Sequence, residues 1–260
     1  MNHLLSKALT LQKKYKFIAP KDWGAEEKEN LMNDFTFHSN KLEGLKLEYG
    51  DTIEYLKNGV IRKNADIKDI TDLENHRNLL KKVFDTYEQM TLSANLIKDL
   101  HAEMMKDKIQ WSKTDAYMGG PGKFKRENNY GTRKHGEYKE YMDWMDVPKA
   151  LDQLCAETNE RLRKPAEVIP AINTFHYEFA NNIHPFGDGN GRVVRLLHNI
   201  LLLKNRLPVI VIKGDEKNEY LENIIKQEKN PEAKAFDEFL TKKVIDEMEK
   251  RLKRSRGMSI

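Results

Sequence analysis

Two apolar runs with helical spacing, separated by a nine-residue loop of fixed chemistry, constrain this chain more than any other feature. Val168, Ile169, Ile172, Phe175, Phe179 and Ile183 recur every three or four residues, which predicts a helix with one buried face that delivers His184 at its end. Pro185 then stops it. The pattern resumes at Val193, Val194, Leu197, Ile200 and Leu201, so a second core helix is expected where the glycines end. Between the two, residues 184 to 192 read His-Pro-Phe-Gly-Asp-Gly-Asn-Gly-Arg. The first amides of a helix have no intrahelical partner and, with the helix dipole, attract anions, while glycines let the backbone close on phosphate oxygens. Asp188 suits Mg²⁺ and Arg192 suits a terminal phosphate. The loop therefore reads as a phosphate site.

A Gly-rich connection between helices is ordinarily only a turn, and a lone His184 is ordinarily a surface histidine. The turn reading fails on the conjunction, because a turn has no need of a base, an acid, an amide and an arginine at fixed offsets. The string lacks the Gly-Lys-Ser/Thr ending of a Walker A loop, and it links helices where a dinucleotide fingerprint follows a strand. Zinc is disfavoured too: His176 and His184 are eight residues apart, His198 lies beyond, and no cysteine is near in sequence.

These residues resemble the Fic family, whose motif His-x-Phe-x-Asp/Glu-Gly-Asn-Gly-Arg-x-x-Arg is matched in full from His184 through Arg195. The resemblance implies transfer of AMP from ATP to a hydroxyl side chain of a target protein, with release of pyrophosphate. It makes His184 the general base, Asp188 the holder of Mg²⁺ (Mn²⁺ being the alternative) and Phe186 the anchor of the loop. Asn190 and the amides around Gly189 and Gly191 would cradle the phosphates, Arg192 would contact them from the first helical turn, and Arg195 would receive the γ-phosphate. Gly191 favours nucleotidyl transfer, since kinase-like members carry a larger residue there. The roles are physically sensible: imidazole titrates near neutrality, and phosphoryl centres ask mainly for positioning and charge neutralisation.

Far upstream, Ser39-Asn40-Lys41-Leu42-Glu43-Gly44 closes a helix expected from about Ala25. A helix ending in glycine is ordinary. A carboxylate in the last turn, however, opposes the helix dipole and gains from a cation elsewhere, and Ser39 and Glu43 share one face at i and i+4. Beside a Fic motif the segment resembles the family's inhibitory helix, Ser/Thr-x-x-x-Glu-Gly/Asn. That resemblance pairs Glu43 with Arg195 and represses the site from within the same polypeptide.

The rest of the chain is expected to be mainly α-helical, a Fic-type helical bundle with a small β-hairpin flap. Its parts are an N-terminal helical region at 1–90, a Fic core at 91–210 and C-terminal helices at 211–260 packed on it as one structural unit. A helix is expected from about Leu92 to Met105, and another from Val147-Pro148. The flap falls within 119–136, where turn signals lie at both ends; in the family it pairs with the target's backbone. Leu207 to Ile212 suggests a short strand, and Tyr220, in Lys217-Asn218-Glu219-Tyr220, a wall of the adenine pocket. The basic run from Lys250 to Arg256 reads as the solvated end of a helix starting near Glu232.

Charge and cysteine content narrow the partners. With 45 basic against 41 acidic residues, a net charge of +4 over 260 residues gives no argument for nucleic acid or a membrane. Cys155 is single, so no internal disulfide forms, and the lysine-studded first twenty residues lack a signal peptide's apolar centre. A cytoplasmic location is expected, with ATP and an unidentified target protein as partners; self-modification and a homo-oligomer stay open. Two further readings remain: another nucleotidyl transfer or removal of an adenylyl group at the same site, and a nucleotide-sensing interaction protein whose turnover is incidental.

Overall fold

The apolar run that follows the motif loop forms helix α8 (Asn190–Lys204), and every residue of it from Arg192 to Leu203 is buried. A helix enclosed on all sides gains about 1.5–3 kcal/mol from each large aliphatic side chain it hides. It must then find a partner for every polar group it carries in. Arg192, Arg195, His198 and Asn199 are those groups, and the rest of the fold is arranged around them. The computed structural model describes residues 2–61, 64–106, 119–132, 137–255 and 257.

Around α8 pack α2 (Ala25–Leu42), α5 (Ala94–Met104) and α7 (Val168–Tyr177). α6 (Val147–Arg161), with Pro148 in its first turn, covers α5 and α7, while α4 (Ile67–Thr86) backs α2 and α5. α10 (Ala235–Ser255) lies across α7 and α9 (Lys217–Lys229) and carries α1 (Asn2–Lys14) on its far side. One main hydrophobic cluster runs through all of these. A smaller one, Phe37, Leu45, Leu47, Leu56 and Leu73, fastens α3 (Tyr49–Asn58) to α2 and α4 and so braces the end of α2. The described residues are mainly α-helical, with a single two-stranded antiparallel hairpin, which is the fold class the sequence implies.

Four local expectations need correction. The first motif helix is not regular up to His184: after Tyr177 the chain widens into a π-helical stretch, Glu178–Ile183, and the His184 N–H donates to the Phe179 carbonyl five residues back at 2.9 Å. Phe175, Phe179 and Ile183 are spaced by four, which suits either winding, so spacing alone conceals the change. No strand forms at 207–212. The Asn199 amide instead donates to the Ile210 carbonyl (2.9 Å) and accepts from the Ile210 N–H (2.8 Å), doing from α8 what a neighbouring strand would do.

The hairpin only partly falls within 119–136, since its second strand lies beyond that segment. Its strands are β1 (Tyr130–Thr132) and β2 (Tyr138–Glu140), paired Tyr130 with Glu140, Gly131 with Lys139 and Thr132 with Tyr138. Positions 133–136 of the expected flap lie outside the described residues. Before β1 the chain is irregular, because Gly122, with φ 72°, seats its backbone where a Cβ would stand 3.0 Å from the Ala102 methyl of α5. Finally, α10 begins at Ala235, since Pro231–Ala233 make a 3₁₀ turn and Lys234 takes a left-handed φ of 47°. Arg256 of the basic run lies outside the described residues.

Candidate active site

The motif loop is held from below by a stack of aromatic rings. Phe186 is fully buried, and the His101 ring from α5 lies parallel to it at 3.7 Å between centroids. The Gly122 N–H donates to His101 Nδ1 (2.9 Å), so the proton of this histidine sits on Nε2, which donates to the Asp188 carbonyl (3.0 Å). His101 thereby ties the approach to the hairpin to the motif loop. Asn190 closes the loop on itself: its amide donates to the Phe186 carbonyl (2.7 Å) and accepts the Phe186 N–H (3.0 Å). Its side chain is therefore a clamp, and only its main-chain N–H remains for a ligand. Gly189, at φ 79°, turns the chain into α8 where a Cβ would stand 2.6 Å from the Met105 sulfur. It brings no side chain to cap the helix, and uncapped first amides of a helix are groups that can hold an anion.

His184 stands at the end of the π-helical stretch with a left-handed φ of 46°, a backbone state that costs a non-glycine residue on the order of 1–3 kcal/mol. A carbonyl oxygen can only accept, so the 2.9 Å contact between Nδ1 and the Ala180 carbonyl puts the proton on Nδ1. Nε2 is left as the basic nitrogen. Burial pulls the imidazole down to about 4, outweighing the Ala180 carbonyl and the Glu43 and Asp188 carboxylates, which favour the cation. It is neutral, and so able to accept a proton, throughout the physiological range. The Tyr141 ring, just after β2, stacks on the imidazole at 3.8 Å with 10° between planes.

Asp188 projects from the loop with its side chain half-exposed; one oxygen accepts the Gly189 N–H at 2.6 Å. A single outward carboxylate matches the way Mg²⁺ is held, by one or two protein oxygens plus phosphate and water. Among the described residues, no group of three or more His, Cys, Asp and Glu is arranged to hold a metal. Arg192 is turned inward: it pairs with Asp72 of α4 at 2.8 Å and lies 3.6 Å from Asp188, a guanidinium sunk to 2 % exposure between two carboxylates.

Arg195 meets the end of α2. Its Nε donates to Ser39 Oγ (3.1 Å), and Nη2 donates both to the Ser39 carbonyl (2.7 Å) and to Glu43 Oε1 (2.8 Å). Glu43 is the C-cap of α2, and Gly44 beyond it has φ 101°. The Gly44 N–H returns to the Lys41 carbonyl and the Leu45 N–H to that of Asn40, the pattern of a Schellman ending, which fixes where the carboxylate emerges. Burial would raise the Glu43 carboxyl, yet Arg195 and then Arg192 hold it below the usual carboxylate range. Its Oε1 lies 2.3 Å from where a Cβ on Gly191 would be, so only glycine admits the carboxylate over the start of α8.

His184, Tyr141, Gly131, Lys139, Gly191, Arg195, Glu43 and Tyr220 line one cavity of about 500 Å³, with Leu221, Ile224 and Ile225 of α9 on its apolar side. Asp188 and Arg192 line a neighbouring cavity of about 70 Å³. Glu43 borders both and stands between them. Tyr220 lines the cavity, and its buried hydroxyl bonds His176 Nε2 at 2.9 Å.

Residues 91–202 match the model of the Fic/DOC family. The chain carries a Fic domain. Among curated relatives, "Protein adenylyltransferase Fic" of Nematostella vectensis is 32 % identical over 110 residues, 38 % of this chain and 25 % of that protein. "Protein adenylyltransferase fic-1" of Caenorhabditis briggsae is 22 % identical over 191 residues, 72 % of this chain and 34 % of that one. The chain thus spans between a quarter and about a third of these relatives. A crystal structure of a Fic domain containing signaling protein from Bacteroides thetaiotaomicron superposes with a TM-score of 0.80 over 98 % of both chains at 24 % identity. Fic-1 of Caenorhabditis elegans does so with 0.74 over 99 % of this chain and 73 % of that one at 16 % identity. At those identities the likeness is one of fold, and the Fic fold accounts for both the helical bundle and the hairpin. His101, Tyr141 and Asp72 also touch residues of the candidate site, and their lone sequence positions carry no motif by which to find them.

Proposed function

We propose that this Fic domain is an autoinhibited protein adenylyltransferase, using ATP as donor and a protein hydroxyl as acceptor. The observation that carries the reading is one arrangement: a histidine with its basic nitrogen left free by the Ala180 hydrogen bond shares a cavity with the start of α8, Arg195 and Glu43. In the reaction, the target hydroxyl gives its proton to His184 Nε2. Its oxygen forms the new bond to the α-phosphorus, and the bond from that phosphorus to the β-phosphate bridging oxygen breaks, releasing pyrophosphate. The uncapped amides at the start of α8 hold phosphate oxygens, and Arg195 takes the terminal phosphate. Asp188 would hold Mg²⁺, which neutralises charge on the phosphates.

Glu43 opposes this in two ways. It occupies the Arg195 guanidinium, and it separates the main cavity from the space beside Asp188. A triphosphate lying along the start of α8 has to displace it. The names of the curated relatives support adenylyl transfer over other Fic chemistries. The test is incubation of wild-type chain and Glu43→Gly with Mg²⁺, ATP and a cell lysate, with adducts read by mass spectrometry. AMP on protein hydroxyls in the variant, at least tenfold above wild type, supports the reading; equal or lower labelling sinks the inhibitory role of Glu43.

A further inference from the structure

We propose that Tyr141 is the positioning residue for His184: its ring fixes the plane of the imidazole and offers the π-face on which the imidazolium rests once it has taken the target's proton. This rests on His184 being the base of the transfer reaction. The hydrogen bond from Nδ1 to Ala180 fixes one direction in the ring plane but leaves the plane free to tilt about it. Tyr141 removes that freedom, lying parallel to the imidazole at 3.8 Å.

The tyrosine is itself held tightly. Its N–H donates to the Asn129 carbonyl (3.2 Å), and the next residue, Met142, donates to the Asn182 carbonyl in the π-helical stretch (2.9 Å). Gly131 of β1 makes room: a Cβ there would stand 2.4 Å from the Tyr141 hydroxyl oxygen and 3.0 Å from its Cζ. The hairpin and the base are thus joined through one aromatic ring, and a glycine in an otherwise exposed strand has a reason to be where it is.

Charge gives the ring a second use. When Nε2 takes the proton, a cation appears in a place where burial strongly disfavours one. The charged groups that act on it are the Lys125 ammonium of the loop before β1, the Glu43 carboxylate at the end of α2 and the Asp188 carboxylate of the motif loop, while Arg195, Lys139 and Glu222 line the same cavity. Lys125 opposes the cation; it is fully buried, its ammonium bonded to Asn129 Oδ1 (2.7 Å) and the Ile183 carbonyl (3.3 Å). Glu43 favours the cation only while the site is repressed. After Glu43 leaves, the Tyr141 face is a remaining source of negative potential in direct contact with the ring.

The experiment uses the full chain carrying Glu43→Gly, with Tyr141→Phe, Tyr141→Leu, or pentafluorophenylalanine incorporated at position 141, which keeps the ring's size and reverses its quadrupole. His184 is titrated by NMR without nucleotide, and transfer kinetics are measured beside it. The expected result is a His184 pKa about 0.4–0.7 unit lower with Leu and with the fluorinated ring than with Tyr or Phe, from a cation–π contact of about 0.5–1 kcal/mol. The transfer kcat falls in the same order, with KM for ATP unchanged, and Phe restores it. A His184 pKa that is the same with phenylalanine and with its fluorinated analogue overturns the proposal. So does a loss of kcat that Phe does not restore. If no variant transfers AMP, the adenylyltransferase reading fails on its own, and the titration still decides the stacking claim.

Discussion

Glu43→Gln removes a charge and little else, which makes it the sharpest probe of how the site is closed. The carboxylate oxygen lies 2.8 Å from Arg195 Nη2, and the carboxylate side chain is 37 % exposed while the guanidinium is 3 % exposed. A charge-assisted hydrogen bond contributes about 1.5–3 kcal/mol, and the open edge of Glu43 places this one near the lower end, about 1.5 kcal/mol. That amount is about a tenfold change in any equilibrium in which Glu43 competes with a phosphate for Arg195. Calorimetric titration with MgATP is therefore expected to show Kd about tenfold lower in Glu43→Gln. The free protein should at the same time melt about 3–6 °C lower, since it has lost a native contact. Tighter nucleotide binding in a less stable protein is the signature of a side chain that holds the closed form together by occupying the ligand's place. An unchanged or weaker affinity would refute the reasoning, because Glu43 would then not be in competition with the phosphates.

Two further outcomes follow from the same geometry. Burial holds His184 at about 4 and His76 and His198 at about 3, and lowers His176 well below its ordinary value. In the unfolded chain all four take a proton near pH 6.5 while the folded chain does not, so stability is full above that pH and falls as pH drops toward 4, each group costing about 1.4 kcal/mol per pH unit. Urea midpoints should decline from pH 7 to pH 5, and a flat profile would contradict the buried neutral state. Asn199→Ala leaves the Ile210 N–H and carbonyl without their side-chain partner, at a cost of about 2–3 kcal/mol measurable by urea unfolding; a loss under 0.5 kcal/mol would show that water replaces the amide.

The helices were legible because burial imposes spacing. The apolar periods flanking the motif, and the end of α2 at Leu42 before Gly44, are local signals that tertiary structure had no cause to override. The candidate site was legible where chemistry is written contiguously, as in His184 to Arg195, and where a partner lay at a helix end, as with Ser39 and Glu43. What escaped was set by contacts between distant parts of the chain. Asn199 satisfies the backbone at Ile210 and so abolishes the need for a strand there. The ion pair of Arg192 with Asp72 is set in the same way, since Asp72 is 120 residues away in sequence and belongs to no motif. Tyr220 lines the cavity, but that its hydroxyl bonds His176 is visible only in the fold. The π-helical turn before His184 leaves the spacing of its phenylalanines unchanged, so nothing in the sequence could announce it.

The fate of the two ends of ATP decides which phosphorus the site attacks. Glu43→Gly and Glu43→Gly/His184→Ala, each supplied with Mg²⁺ and ATP labelled separately at the α and γ phosphates, give the direct reading when incorporation into protein is followed. The expected result is α label alone, abundant with the single variant and absent with the double. Label from the γ position would contradict it by reversing the nucleotide in the site, and α label that persists without His184 would remove the base from the mechanism.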